Sequence, residues 1–221
     1  MEIEIRNVSK KYGKKTVLDD MSLTVHGGEC VGLVGGNGSG KSTLLGILAG
    51  VVASKGASFL CDGEELIDSA RRAERVAYVP QGVPLFDELT AKDNLSLWYT
   101  KEKMKKELDG GVLGLLGVDG FLNVKVGRMS GGMKKRLAIG CAVHNSPSVL
   151  LLDEPSAALD LVCKENILSY LDGFRKRGGA VIIATHDVGE IAFCDRLYVL
   201  KDAHLTPHGF TGDVSELVSA L

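Results

Sequence analysis

The spacing of apolar and polar residues divides this chain into stretches of different character. Over the first thirty residues the two kinds alternate, as in Glu2-Ile3-Glu4-Ile5 and Met21-Ser22-Leu23-Thr24-Val25. A period of two with turn residues between is the pattern of half-exposed antiparallel strands. Residues 57–61 have the same character and close on an Asp62-Gly63 turn. Five other short runs, 31–34, 76–79, 149–152, 181–184 and 197–200, are apolar almost throughout. Strands covered on both faces lose the alternation, so these runs predict a mostly parallel sheet with helices on either side. The covering helices are predicted at 42–49, 161–177 and around 190–193. Between about 87 and 145 the pattern changes again. Residues 90–99, the lysine-rich 101–108 and 132–145 read as helices with no buried-strand run among them, a helical insertion into an α/β core. The tail, 214–221, fits a short amphipathic helix.

Composition changes this picture little. At 221 residues, 45% apolar and 24% charged, the chain is an ordinary globular one, long enough to bury a sizeable core. No linker or repeat divides it, so residues 1–221 read as one domain. Its antiparallel β part would lie at about 1–30 and 56–68, its helical part at about 87–145, with an α/β core elsewhere. A net charge of −2 gives no electrostatic reason to expect a nucleic-acid partner. No apolar run approaches the ~20 residues of a membrane span, and the acidic opening Met1-Glu2-Ile3-Glu4 is unlike a secretory leader. A cytosolic location is expected. Five cysteines without C-x-x-C spacing read as free thiols. His204 and His208, with Pro207 between them, read as a solvated loop.

The chemistry is concentrated in Gly35-Gly36-Asn37-Gly38-Ser39-Gly40-Lys41-Ser42-Thr43. It follows an apolar strand, precedes a helix and satisfies the phosphate-loop pattern G-x-x-x-x-G-K-[ST]. Glycines let consecutive N–H groups curl around an anion, and the helix start adds partial positive charge. Lys41 would reach the β- and γ-phosphates, and the Ser42 hydroxyl would ligate Mg²⁺. A second acidic feature, Asp153-Glu154, ends the apolar run Val149-Leu150-Leu151-Leu152. At the carboxyl end of a parallel strand both acids would face the ligand. Asp153 is then the natural outer ligand of Mg²⁺ or its waters, and Glu154, in the turn before Pro155, is placed to take a proton from an attacking water.

The set of motifs resembles the nucleotide-binding domain of ABC transporters over essentially the whole chain. The specific element is Met129-Ser130-Gly131-Gly132-Met133, similar to the family signature Leu-Ser-Gly-Gly-Gln, with Ser130 lying 89 residues after Lys41 and 23 before Asp153. Gln81 after Tyr78-Val79-Pro80 resembles the Q-loop glutamine and would also ligate Mg²⁺. Ser156-Ala157-Ala158-Leu159-Asp160 resembles the D-loop, His186 the switch histidine, and Tyr12 the ring that stacks on adenine. The resemblance implies an ATP hydrolase with Mg²⁺ in which Ser130, Gly131 and Gly132 bind the γ-phosphate held by another protomer. A homodimer, or a heterodimer with another ABC ATPase domain, would then close head to tail around two ATP molecules. A separate integral membrane permease is implied, which would hold the chain at the cytosolic face.

Each match also has a local reading. Ser130-Gly131-Gly132 is a helix start, with amides facing outward and Lys134-Lys135-Arg136 on a solvated basic face; Asp160 is an N-cap for the next helix. Met133 and Met129 depart from the usual signature, as do Gly36 and Leu161 from common prolines. The run Met133-Lys134-Lys135-Arg136 resembles ATPases paired with exporter-type permeases. Two alternatives stand beside transport: a soluble ABC ATPase of cofactor assembly or another non-transport process, and a nucleotide-dependent binding module that barely hydrolyses ATP, suggested by Met133 alone.

Overall fold

The computed structural model describes residues 1–66, 68–157, 159–209, 212, 217 and 219. Two long strands open the chain, β1 (Glu2–Tyr12) and β2 (Lys15–His26), followed by β3 (Cys30–Val34) and helix α1 (Lys41–Leu48). Next come β4 (Ser58–Cys61), β5 (Glu64–Glu65), α2 (Ser69–Arg75) and β6 (Val76–Val79). The helical stretch holds α3 (Ala91–Ser96), α4 (Lys101–Leu108), α5 (Val112–Leu115), two 3-10 turns and α6 (Gly131–Ala142). The chain then forms β7 (Val149–Asp153), α7 (Leu161–Lys176), β8 (Ala180–Ala184), α8 (Val188–Phe193), β9 (Arg196–Lys201) and β10 (His204–His208).

These strands make two sheets. An antiparallel one has the order β2-β1-β4-β5; the other runs β10-β9-β3-β8-β7-β6 and is parallel from β9 to β6. The unbroken apolar runs are explained by what each sheet face touches. In β7, Leu150 and Leu152 join a core with the helical stretch, while Val149 and Leu151 join one with α1 and the antiparallel sheet. Both faces are dry, so neither parity can be polar. Phosphate-type ligands bind beyond the carboxyl ends of such strands. Here those ends lead into Gly35 after β3, Pro80-Gln81 after β6, Asp153-Glu154 at β7 and Thr185-His186 after β8.

Two local outcomes differ from the sequence pattern. His204 and His208 bound strand β10, paired antiparallel with β9, and are not in a loop. Pro207 is tolerated there because β10 is an edge strand, where a missing N–H leaves no ladder bond unmade. Helix α2 had no apolar stripe to reveal it, since none of its residues is buried. It is held by the Asp68 cap, which accepts from Arg71 N at 2.7 Å, and by Arg72, which donates to the carbonyls of Leu66 and Ile47. The helix expected over 214–221 falls almost entirely outside the described residues.

Candidate nucleotide site

The phosphate loop is shaped by close approaches as much as by flexibility. At Gly35 a Cβ would lie 2.6 Å from the Leu200 carbonyl oxygen. Gly40 has φ +114°, and a Cβ there would lie 2.8 Å from Val17 Cγ1 and 2.9 Å from Leu18 Cδ2. Only glycine fits either position. Gly36, by contrast, faces open space. The turn feeds directly into α1, whose first residue, Lys41, is buried and donates from Nζ to the carbonyls of Gly35 (2.6 Å) and Gly36 (3.3 Å). Burial lowers the Lys41 pKa, and the nearby carboxylates of Glu154 and Asp153 oppose that shift.

Asp153, the last residue of β7, is buried. Burial raises its pKa, while a hydrogen bond from the Ser42 hydroxyl and the ammonium groups of Lys41 and Lys135 pull it back. Glu154 lies one residue beyond the strand, at φ +46°. A non-glycine residue there is uncommon and held by its surroundings. Its N–H donates to the Ala184 carbonyl at 2.8 Å, extending the β7–β8 pairing by one bond. The unusual backbone turns its carboxylate toward two partners. Gln81 Nε2 donates to Oε2 at 2.8 Å, and His186 Nδ1 lies 3.2 Å from Oε1. His186 itself is fixed between Thr185, whose hydroxyl accepts from Asp187 N, and the Asp187 cap of α8.

Gln81, Glu154 and His186 line one cleft of about 660 Å³, together with Tyr12, Lys15, Val17 and residues 37–43, while Asp153 is buried and does not line it. Tyr12 stands half exposed at its edge with the Lys10 ammonium 5.2 Å from the ring centre. Ser130, Gly131, Gly132 and Asp160 do not line it. Ser130 caps α6, accepting from Met133 N at 3.2 Å, and Gly131 is exposed. Gly132 does not face outward: it is buried, and a Cβ there would lie 2.5 Å from Cys163 Sγ. Its job is to let α6 pack on α7. Asp160 caps α7, accepting from Cys163 N at 2.8 Å, a bond that lowers its pKa.

The family described as ABC transporter matches residues 18–157. The chain belongs to the ABC transporter ATP-binding family. Among its relatives, a Nod factor export ATP-binding protein of Burkholderia lata is 36% identical over 94% of this chain and 70% of that protein. A spermidine/putrescine import ATP-binding protein of Pasteurella multocida is 33% identical over 97% of this chain and 60% of that protein. A solved ATP-binding cassette, dimeric, in a post-hydrolysis state with ADP and phosphate bound, superposes with a TM-score of 0.80 at 29% identity, over 94% of this chain and all of that one. The ABC chain is therefore an ATP-binding ATPase of the kind that drives transport. No helix among its described residues is long and apolar enough to cross a membrane.

Two features of the ABC site were not legible in the sequence. The Gln81–Glu154 bond joins residues 73 positions apart. Lys135, in a run that reads as a solvated basic face, is 5% exposed and donates to the carbonyls of Pro80 (3.2 Å) and Gln81 (3.5 Å). Its neighbour Arg136 is likewise tied down, to the Leu116 carbonyl and over the Phe121 ring.

Proposed function

We propose that this chain hydrolyses ATP at an interface made head to tail with a second ABC ATPase domain, as a homodimer or heterodimer, and so drives solute export through a separate integral membrane permease. The observation that carries this reading is the division of the site. The cleft holds the phosphate loop, Gln81, Glu154 and His186, whereas the Ser130-Gly131 turn lies outside it and exposed. A second copy would bring that turn to the nucleotide. Apolar surface beside Asp160 supports the same contact: Leu161 and Val162 stand 83% and 71% exposed, and a partner would cover them. So does the dimeric state of the solved relative. Export follows the Burkholderia lata relative and the Met133–Arg136 run, and the chain would then sit at the cytosolic face.

In this reading residues 35–43 cradle the phosphates, Lys41 neutralises the β- and γ-oxygens, and Tyr12 stacks on adenine. The donor set suits Mg²⁺, a cation that takes oxygen ligands. The Asp153 carboxylate would hold it with the Ser42 hydroxyl and the side-chain amide oxygen of Gln81, whose amide nitrogen donates to Glu154. When bound, Mg²⁺ supplies positive charge to the phosphate oxygens. The Glu154 carboxylate takes a proton from the water attacking the γ-phosphorus, while Gln81 and His186 hold that carboxylate from two sides. ATP favours the closed dimer because only that state supplies Ser130 and Gly131 to its γ-phosphate. Residues 1–221 act as a single domain, whose helical part and Gln81 loop pass the motion on to the permease.

Glu154→Gln tests this, because it keeps the shape and removes the base. Turnover should fall by about 10²-fold or more, while ATP now traps a dimer measurable by light scattering. An unchanged rate would remove Glu154 from the mechanism, and a monomer at saturating ATP would remove the shared site.

A further inference from the structure

Lys135 is a buried ammonium that no step above uses. It lies on α6, five residues after the Ser130 cap, and reaches across to the carbonyls of Pro80 and Gln81, where the chain leaves β6. Buried lysines are rare unless paired. Burial lowers the pKa of this one, and the carboxylates of Asp153, Glu190 and Glu154 oppose the shift. Stability does not explain the choice, since apolar replacements of buried charges are often neutral or stabilising. What a methionine could not supply is a donor aimed at two successive main-chain carbonyls. The second of those belongs to Gln81, whose side chain bonds Glu154 Oε2 at 2.8 Å. Beyond Gln81 the chain has no regular structure before α3, and the next side-chain anchor is Asn94, which bonds the Phe86 main chain. Lys135 is thus the clamp at the point where Gln81 is set.

We infer that Lys135 is a positioning residue for hydrolysis: by clamping the Pro80 and Gln81 carbonyls it orients the Gln81 side chain on Glu154 and makes that contact move with the helix bearing Ser130 and Gly131. The inference rests on the proposed roles of Gln81 and Glu154. It predicts an effect on the chemical step and little on nucleotide capture, because Lys135 does not line the cleft.

The test is steady-state ATPase kinetics of the full chain carrying Lys135→Met, Lys135→Arg, Gln81→Ala and the Lys135→Met/Gln81→Ala pair, with folding checked by thermal melting. Lys135→Met should lower kcat about tenfold with KM within about twofold, the size expected when a catalytic group is slightly misplaced. Lys135→Arg should recover most of the loss. The double variant should be no slower than Gln81→Ala, because residues acting in one chain of contacts are not additive. If Lys135→Met does not fold, Lys135→Gln replaces it under the same criteria. A rate unchanged in Lys135→Met while Gln81→Ala is slow overturns the inference and leaves the proposed mechanism standing. So does a double variant slower by the product of the two losses. A Gln81→Ala chain at full speed overturns both.

Discussion

Gly40→Ala separates the mechanical role of a phosphate-loop glycine from its role in binding an anion. At φ +114° the backbone lies outside the regions open to alanine, a strain of about 1–3 kcal/mol. The new Cβ would also sit 2.8 Å from Val17 Cγ1, 2.9 Å from Leu18 Cδ2 and 3.1 Å from the Val17 carbonyl oxygen. Such overpacking costs about 1–3 kcal/mol more. The lower entropy of the unfolded alanine chain returns about 0.4–1 kcal/mol. The net loss is roughly 1–5.5 kcal/mol, or about 2–22 °C in melting temperature for a chain of this size. Melting is to be followed without nucleotide, so that lost ATP binding makes no contribution. Gly36→Ala is the control, since no atom lies within 4 Å of a Cβ there; it should melt within about 0.5 kcal/mol of the parent. Adding Val17→Ala to Gly40→Ala should recover part of the loss by removing the nearest contact. A Gly40→Ala chain melting with the parent, or a Gly36→Ala chain melting equally low, would refute the packing argument.

Two further outcomes are expected. Gly132→Ala should destabilise the chain by about 1–3 kcal/mol through its contact with Cys163 Sγ, 2.5 Å from the added Cβ, and Cys163→Ala should relieve more than half of that in denaturant titrations; equal losses in both backgrounds would place the cost elsewhere. Burial raises the Glu190 pKa above 4.5, against the pull of the Ser156 and Thr185 hydroxyls. The stability that goes with the protonated acid is complete below 4.5 and is lost as pH rises through the raised value. Glu190→Gln should therefore melt higher than the parent at pH 8, with the gap closing as pH falls to 4.5; a gap that is constant or reversed would contradict the sign.

Much of the cassette was legible because its signals are local. Runs such as Val149–Leu152 and 181–184 announce strands buried on both faces, and the helix after Gly40 follows from the motif and its apolar stripe. Signals that depend on surroundings were not. Helix α2 buries none of its residues and exists because Arg72 finds carbonyls on two other segments. His204 and His208 became strand ends because β9 offered them a ladder. The basic run after Gly132 read as a solvated face, yet the packing of α6 put Lys135 inside it and Arg136 against Phe121.

The amino-acid order alone determined the phosphate loop, the strand ending in Asp153-Glu154, the family motif at Ser130 and the alternation of sheet and helix. Each is written in neighbouring residues, where steric freedom and hydrophobic period act over a turn or two. Only the tertiary structure decided that Gln81 and His186 grip opposite oxygens of Glu154, that Gly132 is needed for packing against Cys163, and that Lys135 clamps the Gln81 main chain. Those contacts join residues dozens of positions apart, and their chemistry comes from a dry, crowded interior that no local window of sequence contains.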